Sequence, residues 1–247
     1  MKVILVTGGS SGIGASTAIQ CAARGMGVVL TYHNHPEAAD KVIKQIEATG
    51  GKAIAVQLDV SRSETFLTFR KTLEDLLHRF WQRSDFDVLI NNAGFGLFNP
   101  IETVTENEFD SLFNVHLKGP FFLTQALLPV LADGGHIVNV TSATTRVATS
   151  GVAPYAAFKG GLEVLTRYMA KEFGPRRIRA NAISPGAIRT GLGGGLNDEF
   201  EALLASQTAL GRVGEPDDVG KAIASLVSDE NGWVNAQSIE VAGGYHI

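Results

Sequence analysis

Short apolar runs alternate with longer amphipathic stretches along the whole chain. Lys2-Val-Ile-Leu-Val-Thr7 is a continuous, mostly β-branched run halted by Gly8-Gly9, the pattern of a strand buried on both faces. Similar runs recur at 28–32, 53–57, 87–90, 136–140, 179–183 and 238–241. Between them, apolar residues at helical spacing predict helices over about 13–24, 36–49, 63–81, 105–131, 153–173 and 216–228. Pro36 suits the first turn of the second helix and Gly50-Gly51 its end. The pattern assigns no element to 187–212, where Gly191, Gly193, Gly194 and Gly195 cluster.

Strands buried on both faces and separated by helices predict an α/β fold. The expected form is a doubly wound, Rossmann-like parallel sheet of about seven strands, with helices on both faces. No linker, repeat or charge block divides residues 1–247, so a single domain is expected. Ligands of open α/β sheets bind beyond the carboxyl ends of the strands. The 187–212 segment follows the strand at 179–183 and is therefore a candidate substrate-binding loop or lid.

Composition narrows the partners. Of 247 residues, 45% are hydrophobic and 19% charged, an ordinary globular balance. A net charge of −4 gives no electrostatic reason to expect nucleic acid or an acidic membrane as a partner. Cys21 is the only cysteine, which excludes an internal disulfide and a multi-cysteine metal site. The apolar run at 2–7 is too short for a signal sequence or a membrane span, so a cytoplasmic protein is expected. The six histidines lack metal-ligand spacing, and no metal is expected.

The chemistry begins at Thr7-Gly8-Gly9-Ser10-Ser11-Gly12-Ile13-Gly14. Glycines between a buried strand and a helix let the backbone approach a pyrophosphate, and the N–H groups at Ile13 offer it donors and a favourable dipole. The end of the second strand reads Thr31-Tyr32-His33-Asn34. With no carboxylate there to bind a ribose 2′-hydroxyl or repel a 2′-phosphate, NADP(H) is favoured over NAD(H). No arginine is at hand either, so the phosphate would rest on Ser10, Ser11, His33 and Asn34. Asp59, before Val60, is placed to accept from an adenine amino group or to act as a helix cap. Downstream, Tyr155-Ala-Ala-Phe-Lys159 sets a phenol one helical turn before an ammonium group, thirteen residues after Ser142. A lysine beside a tyrosine favours the phenolate and lowers a pKa that is ordinarily near 10.

With Asn91-Asn92-Ala93-Gly94, Asn114 and Pro185-Gly186 in order between and after these motifs, the chain resembles the short-chain dehydrogenase/reductase family from Lys2 to about Gly244. The resemblance implies carbonyl–alcohol chemistry on a small ketone or secondary alcohol, with NAD(P) as cofactor and a homotetrameric assembly. Tyr155 is then the proton donor or acceptor, Ser142 holds the substrate oxygen, and Lys159 also binds the nicotinamide ribose. Asn114 bends its helix and holds a water that relays protons to the lysine. Asn91, Ala93 and Gly94 approach the adenosine ribose. Pro185, Gly186, Ile188 and Thr190 line the nicotinamide, although Thr190 fits a helix cap equally. Phe95, Leu97, Phe98, Val152, Thr144, Thr145 and Arg146 are candidate pocket walls. Two alternatives stand beside this reading. One is a 3-oxoacyl-carrier-protein reductase, for which Leu131–His136 offers only a histidine as a basic docking group. The other is a catalytically silent dinucleotide sensor, which retention of Tyr155, Lys159, Ser142 and Asn114 argues against.

Overall fold

A computed structural model describes all residues, Met1–Ile247. Seven parallel strands form one sheet in the order β3-β2-β1-β4-β5-β6-β7. They are β1 (Val3–Val6), β2 (Gly27–Tyr32), β3 (Ala53–Gln57), β4 (Phe86–Asn91), β5 (Leu131–Val140), β6 (Arg179–Pro185) and β7 (Ser238–Val241). The helices are α1 (Gly12–Ala22), α2 (Pro36–Ala48), α3 (Phe66–Trp81), α4 (Glu106–Phe113), α5 (Gly119–Leu127), α6 (Ala153–Glu172), α7 (Asp198–Ser206) and α8 (Pro216–Leu226).

Period-two alternation divides the core into two layers. Ile4, Val6, Val28 and Leu30 join Ala18, Ile46, Val219 and Ile223 of α1, α2 and α8 on one face. Val3, Leu5 and Val29 join Phe66, Leu73, Leu77, Leu123 and Met169 of α3, α5 and α6 on the other. Strand order reverses beside β1, which pairs with both β2 and β4. A crevice opens beyond the carboxyl ends there, as such a switch point requires.

Three elements differ from the sequence expectation. The helix expected over 105–131 is interrupted: Asn114–Lys118 forms a π-turn between α4 and α5, in which the Gly119 amide donates to the Asn114 carbonyl. The same stretch ends as a helix at Leu127, and β5 begins at Leu131 rather than at 136. Its early part contains Gly134-Gly135, and its pairing with β4 shifts register between Phe86 and Val88, so no unbroken apolar run marks it. Within 187–212 the chain forms α7, whose N-cap Asn197 accepts from the Phe200 amide. Only nine residues long, α7 follows a glycine cluster that masks its periodicity.

Candidate active site

The glycine loop is fastened from two sides. Thr7 Oγ1 accepts from the amides of Asn92 at 2.9 Å and Ala93 at 3.0 Å. The Asn92 side-chain amide donates to the carbonyls of Thr7 at 2.9 Å and Gly8 at 3.2 Å. From β2, Thr31 accepts from Gly9 through its carbonyl and from Gly8 through its hydroxyl. Gly8 has φ +62°, and a Cβ there would lie 2.9 Å from the Ala93 Cα; only glycine fits both demands. Ser11 precedes α1 without capping it through its side chain, which leaves the first amides of the helix open to an anion.

A cavity of about 990 Å³ runs from this loop to Tyr155 and Lys159. It is lined by Gly8, Ser10, Ser11, Gly12, Ile13, Gly14, Tyr32, His33, Asn34, Asp59 and Val60 at one end. Ala93, Gly94, Asn114, Ser142, Pro185, Gly186, Ile188 and Thr190 line the remainder. The glycine cradle, the uncapped helix end and the volume of this cavity fit a dinucleotide. Asn91 is not on the wall. It is buried, and its side-chain amide donates to Asn139 Oδ1 at 2.8 Å, while Asn139 donates to Thr166 at 2.8 Å. This polar chain ties β4 and β5 to α6 beneath the site.

At the β2 end, tertiary structure supplies a carboxylate that β2 itself lacks. Asp59 Oδ2 lies 3.4 Å from His33 Nε2, and Asp59 Oδ1 accepts from the Ser61 amide and hydroxyl. Burial pushes the Asp59 carboxyl upward, but the Ser61 hydrogen bonds and the neighbouring His33 leave it below its ordinary value.

At the other end, Lys159 is buried and donates to the Val140 carbonyl at 2.7 Å, with its Nζ 5.6 Å from the centre of the Tyr155 ring. Burial depresses its ammonium to about 7. Burial also pushes the Tyr155 phenol up, with Ser142 pulling in the opposite direction. Both charged forms are disfavoured by desolvation in the same dry pocket. The resulting neutral phenol is the form that can donate a proton. Ser142 Oγ accepts from the Thr144 hydroxyl at 2.9 Å and the Thr144 amide at 3.2 Å. With its lone pairs engaged, its O–H is left to donate towards the Tyr155 oxygen and a substrate oxygen beside it.

Of the candidate walls, Phe95 lines the cavity, joined by Gly96, Leu192 and Gly193. Arg146 turns away and holds the C-terminal tail, bonding Glu240 and the carbonyls of Tyr245 and His246. Thr145 bonds Glu163, and Thr190 Oγ1 accepts from the Leu192 amide at 3.3 Å. Sequence reasoning gave Asn92 no role of its own, took Thr144 only as a pocket wall, and missed His116. The His116 ring stands edge-on to Tyr155, with centroids 4.9 Å apart and planes at 81°. Asn-Asn-Ala-Gly and Ser-x-Thr were visible as strings, but nothing local signalled the histidine.

A family profile described as enoyl-(acyl carrier protein) reductase matches residues 8–246. An uncharacterised oxidoreductase of Methylorubrum extorquens is 41% identical, the match covering 98% of this chain and 97% of that protein. A probable tetrahydroxynaphthalene reductase of Zymoseptoria tritici is 36% identical over 98% of this chain and 93% of its own length. The chain belongs to the short-chain dehydrogenase/reductase family. Among solved structures, the angucycline C-6 ketoreductase LanV with bound NADP superposes with a TM-score of 0.95 at 33% identity, covering 99% of this chain and 95% of that one. A short-chain dehydrogenase/reductase of Serratia marcescens superposes with a TM-score of 0.92 at 29% identity, covering 100% and 98%. As a member of this family the chain is an NAD(P)-dependent oxidoreductase of small-molecule carbonyls. No helix is long and apolar enough to cross a membrane.

Proposed function

We propose that this chain reduces the ketone of a compact, ring-bearing small molecule with NADPH, Tyr155 donating the proton. The neutral phenol of Tyr155 beside the outward-donating Ser142 hydroxyl carries this reading. NADPH, when bound, supplies a hydride to the carbonyl carbon. Ser142 donates to the carbonyl oxygen and holds it against Tyr155, which protonates it as negative charge develops. Lys159, depressed to about 7, exchanges protons readily near neutrality and returns one to the phenolate. Phe95 and Leu192 offer apolar surface to a ring, in keeping with the angucycline and hydroxynaphthalene named for the relatives.

Gly8, Gly12 and the α1 amides would hold the pyrophosphate, with Asp59 and Val60 at the adenine and Ala93 and Gly94 at its ribose. Ser10, Ser11, Tyr32, His33 and Asn34 would surround the 2′-phosphate. Lys159, Pro185, Gly186, Ile188 and Thr190 would hold the nicotinamide half. The NADP bound to LanV supports the phosphorylated cofactor. The 187–212 segment acts as a substrate lid within a single domain. Its Arg189 bonds Glu201 of α7 and Glu215 beside α8, joining the moving part to the body. Phe109, Phe113, Phe121, Phe122 and Tyr168 are exposed on α4, α5 and α6. Such an apolar face fits the homotetramer usual in this family, and the buried thiol of Cys21 suits the cytoplasm.

Paired titration with NADPH and NADH, then a panel of cyclic and acyclic ketones, tests this. Tighter NADPH binding with turnover of ring ketones is expected. Binding of neither nucleotide would overturn it.

A further inference from the structure

Ser142 leads into a tight 3₁₀ turn, Ala143–Thr145, and that turn is anchored from outside. Glu163 stands on α6 four residues beyond Lys159, so the two side chains share a helix face one turn apart. Glu163 is half-buried, and its Oε1 meets three hydroxyls. Thr145 Oγ1 lies 3.0 Å away, Ser238 Oγ of β7 3.0 Å and Thr141 Oγ1 3.4 Å. Thr141 and Thr145 flank Ser142 in the chain. One carboxylate oxygen therefore holds the serine from before and behind.

Each of these hydroxyls has a single hydrogen to give. The Thr145 hydroxyl also lies 3.0 Å from the Ser142 carbonyl, and the Thr141 hydroxyl 3.1 Å from the Ile183 carbonyl. Both carbonyls already accept from a backbone amide, Ser142 from Thr145 at 3.1 Å and Ile183 from Thr141 at 2.7 Å. A carboxylate forms the stronger bond, so it draws the hydroxyl hydrogens. A second tie runs alongside. Arg146, just after the turn, bonds Glu240 at 2.6 Å, two residues beyond Ser238 and on the same face of β7. The serine turn is thereby braced between the helix that carries Tyr155 and Lys159 and the last strand of the sheet.

We propose that Glu163 is a positioning residue for the reaction: it locks the turn at 141–145 to α6, so that the Ser142 hydroxyl and the Tyr155 phenol stay aligned on one ketone oxygen. This rests on the ketone-reductase reading. Glu163 does not line the cavity, so it touches no substrate and transfers no proton. Its effect passes through Ser142, and its loss should matter only while the Ser142 hydroxyl is present.

The first test is steady-state kinetics of Glu163→Ala in the wild-type and in the Ser142→Ala backgrounds. In the wild-type background kcat should fall by about tenfold to a hundredfold, as misplacement of a reacting group by about 1 Å would give. Ketone KM and NADPH Kd should stay within about twofold, and in Ser142→Ala the further fall in kcat should be less than about twofold. An equal fall in both backgrounds would mean a general loosening of the fold and would overturn the proposal, as would an unchanged kcat in the first. Glu163→Gln keeps an acceptor in place and should recover most of the loss; a glutamine variant as slow as the alanine one would refute the hydrogen-bond account. Should Glu163→Ala not fold, Thr145→Val, which keeps the shape and removes one hydroxyl, takes its place in both backgrounds with the same outcomes. The second test needs no turnover: amide hydrogen exchange of a peptide spanning 141–147, in wild type and in Thr145→Val. Faster exchange in the variant, with the glycine loop unchanged, is expected; equal exchange would refute the lock. A wild-type protein that binds NADPH but reduces no ketone would instead sink the functional reading, while the exchange would still decide whether Glu163 holds the turn.

Discussion

Mild acid should unfold this protein through two buried histidines. His116 and His136 are 1% and 2% exposed, and burial holds both rings well below the ordinary value of 6.5. For His136 the Lys2 and Arg179 charges add to the effect. Its Nε2 accepts from the Asn181 amide at 2.8 Å, which puts the hydrogen on an unpartnered Nδ1. The sign follows from linkage. Below 6.5 the unfolded chain binds a proton on each ring and the folded chain does not, so stability falls as pH falls. Each ring contributes a slope approaching about 1.4 kcal/mol per pH unit. The upper bound between about pH 7.5 and pH 5, with both rings neutral throughout, is about 2 kcal/mol per ring and about 4 for both, a large share of an ordinary domain's stability. Depressed carboxylates such as Asp218, held at about 2 chiefly by Arg212, lose their contribution only at lower pH. Lys159, depressed to about 7, costs stability that is relieved as pH rises above about 7 and adds little slope below it. Urea unfolding at fixed protein concentration across this range is the assay, with His136→Gln as the perturbation. The variant should be less stable at neutral pH but show about half the acid slope of the parent. A flat wild-type profile from about pH 7 to 5, or an unchanged slope in His136→Gln, would refute the reasoning.

Other outcomes can be checked directly. Tyr155→Phe should bind NADPH as the parent does, measured by fluorescence titration, and lose nearly all ketone turnover; a substantial residual rate would remove the proton-transfer role. Tyr32→Asp, which puts a carboxylate at the end of β2, should shift the ratio of NADPH to NADH affinity towards NADH by about tenfold or more through repulsion of the 2′-phosphate. Gly14→Ala would drive a Cβ into the Gly8 carbonyl and the Asn92 side chain. A loss of about 1–3 kcal/mol in unfolding free energy, with weakened binding of both nucleotides, is expected. Unchanged binding would show that the loop does not cradle the phosphates.

The sequence by itself determined the order of elements, the parallel sheet, the glycine loop and the Tyr155–Lys159 pair. Each is written in local sequence: short continuous apolar runs for strands, one helical turn between phenol and ammonium, and glycines at a strand-to-helix join. Only tertiary structure decided what those residues meet. Asp59 reaches His33 because β3 lies beside β2, a pairing that no run of residues announces. Thr144 closes back on Ser142 through a tight 3₁₀ turn. The π-turn at Asn114–Lys118 changes which residue of a nominal helix faces the cavity, and so sets His116 rather than a helix-phase neighbour against Tyr155. Burial decided the protonation chemistry. Sequence supplies the titratable groups of Tyr155 and Lys159, but how far water is excluded from them depends on the packing of β5, α6 and the π-turn together.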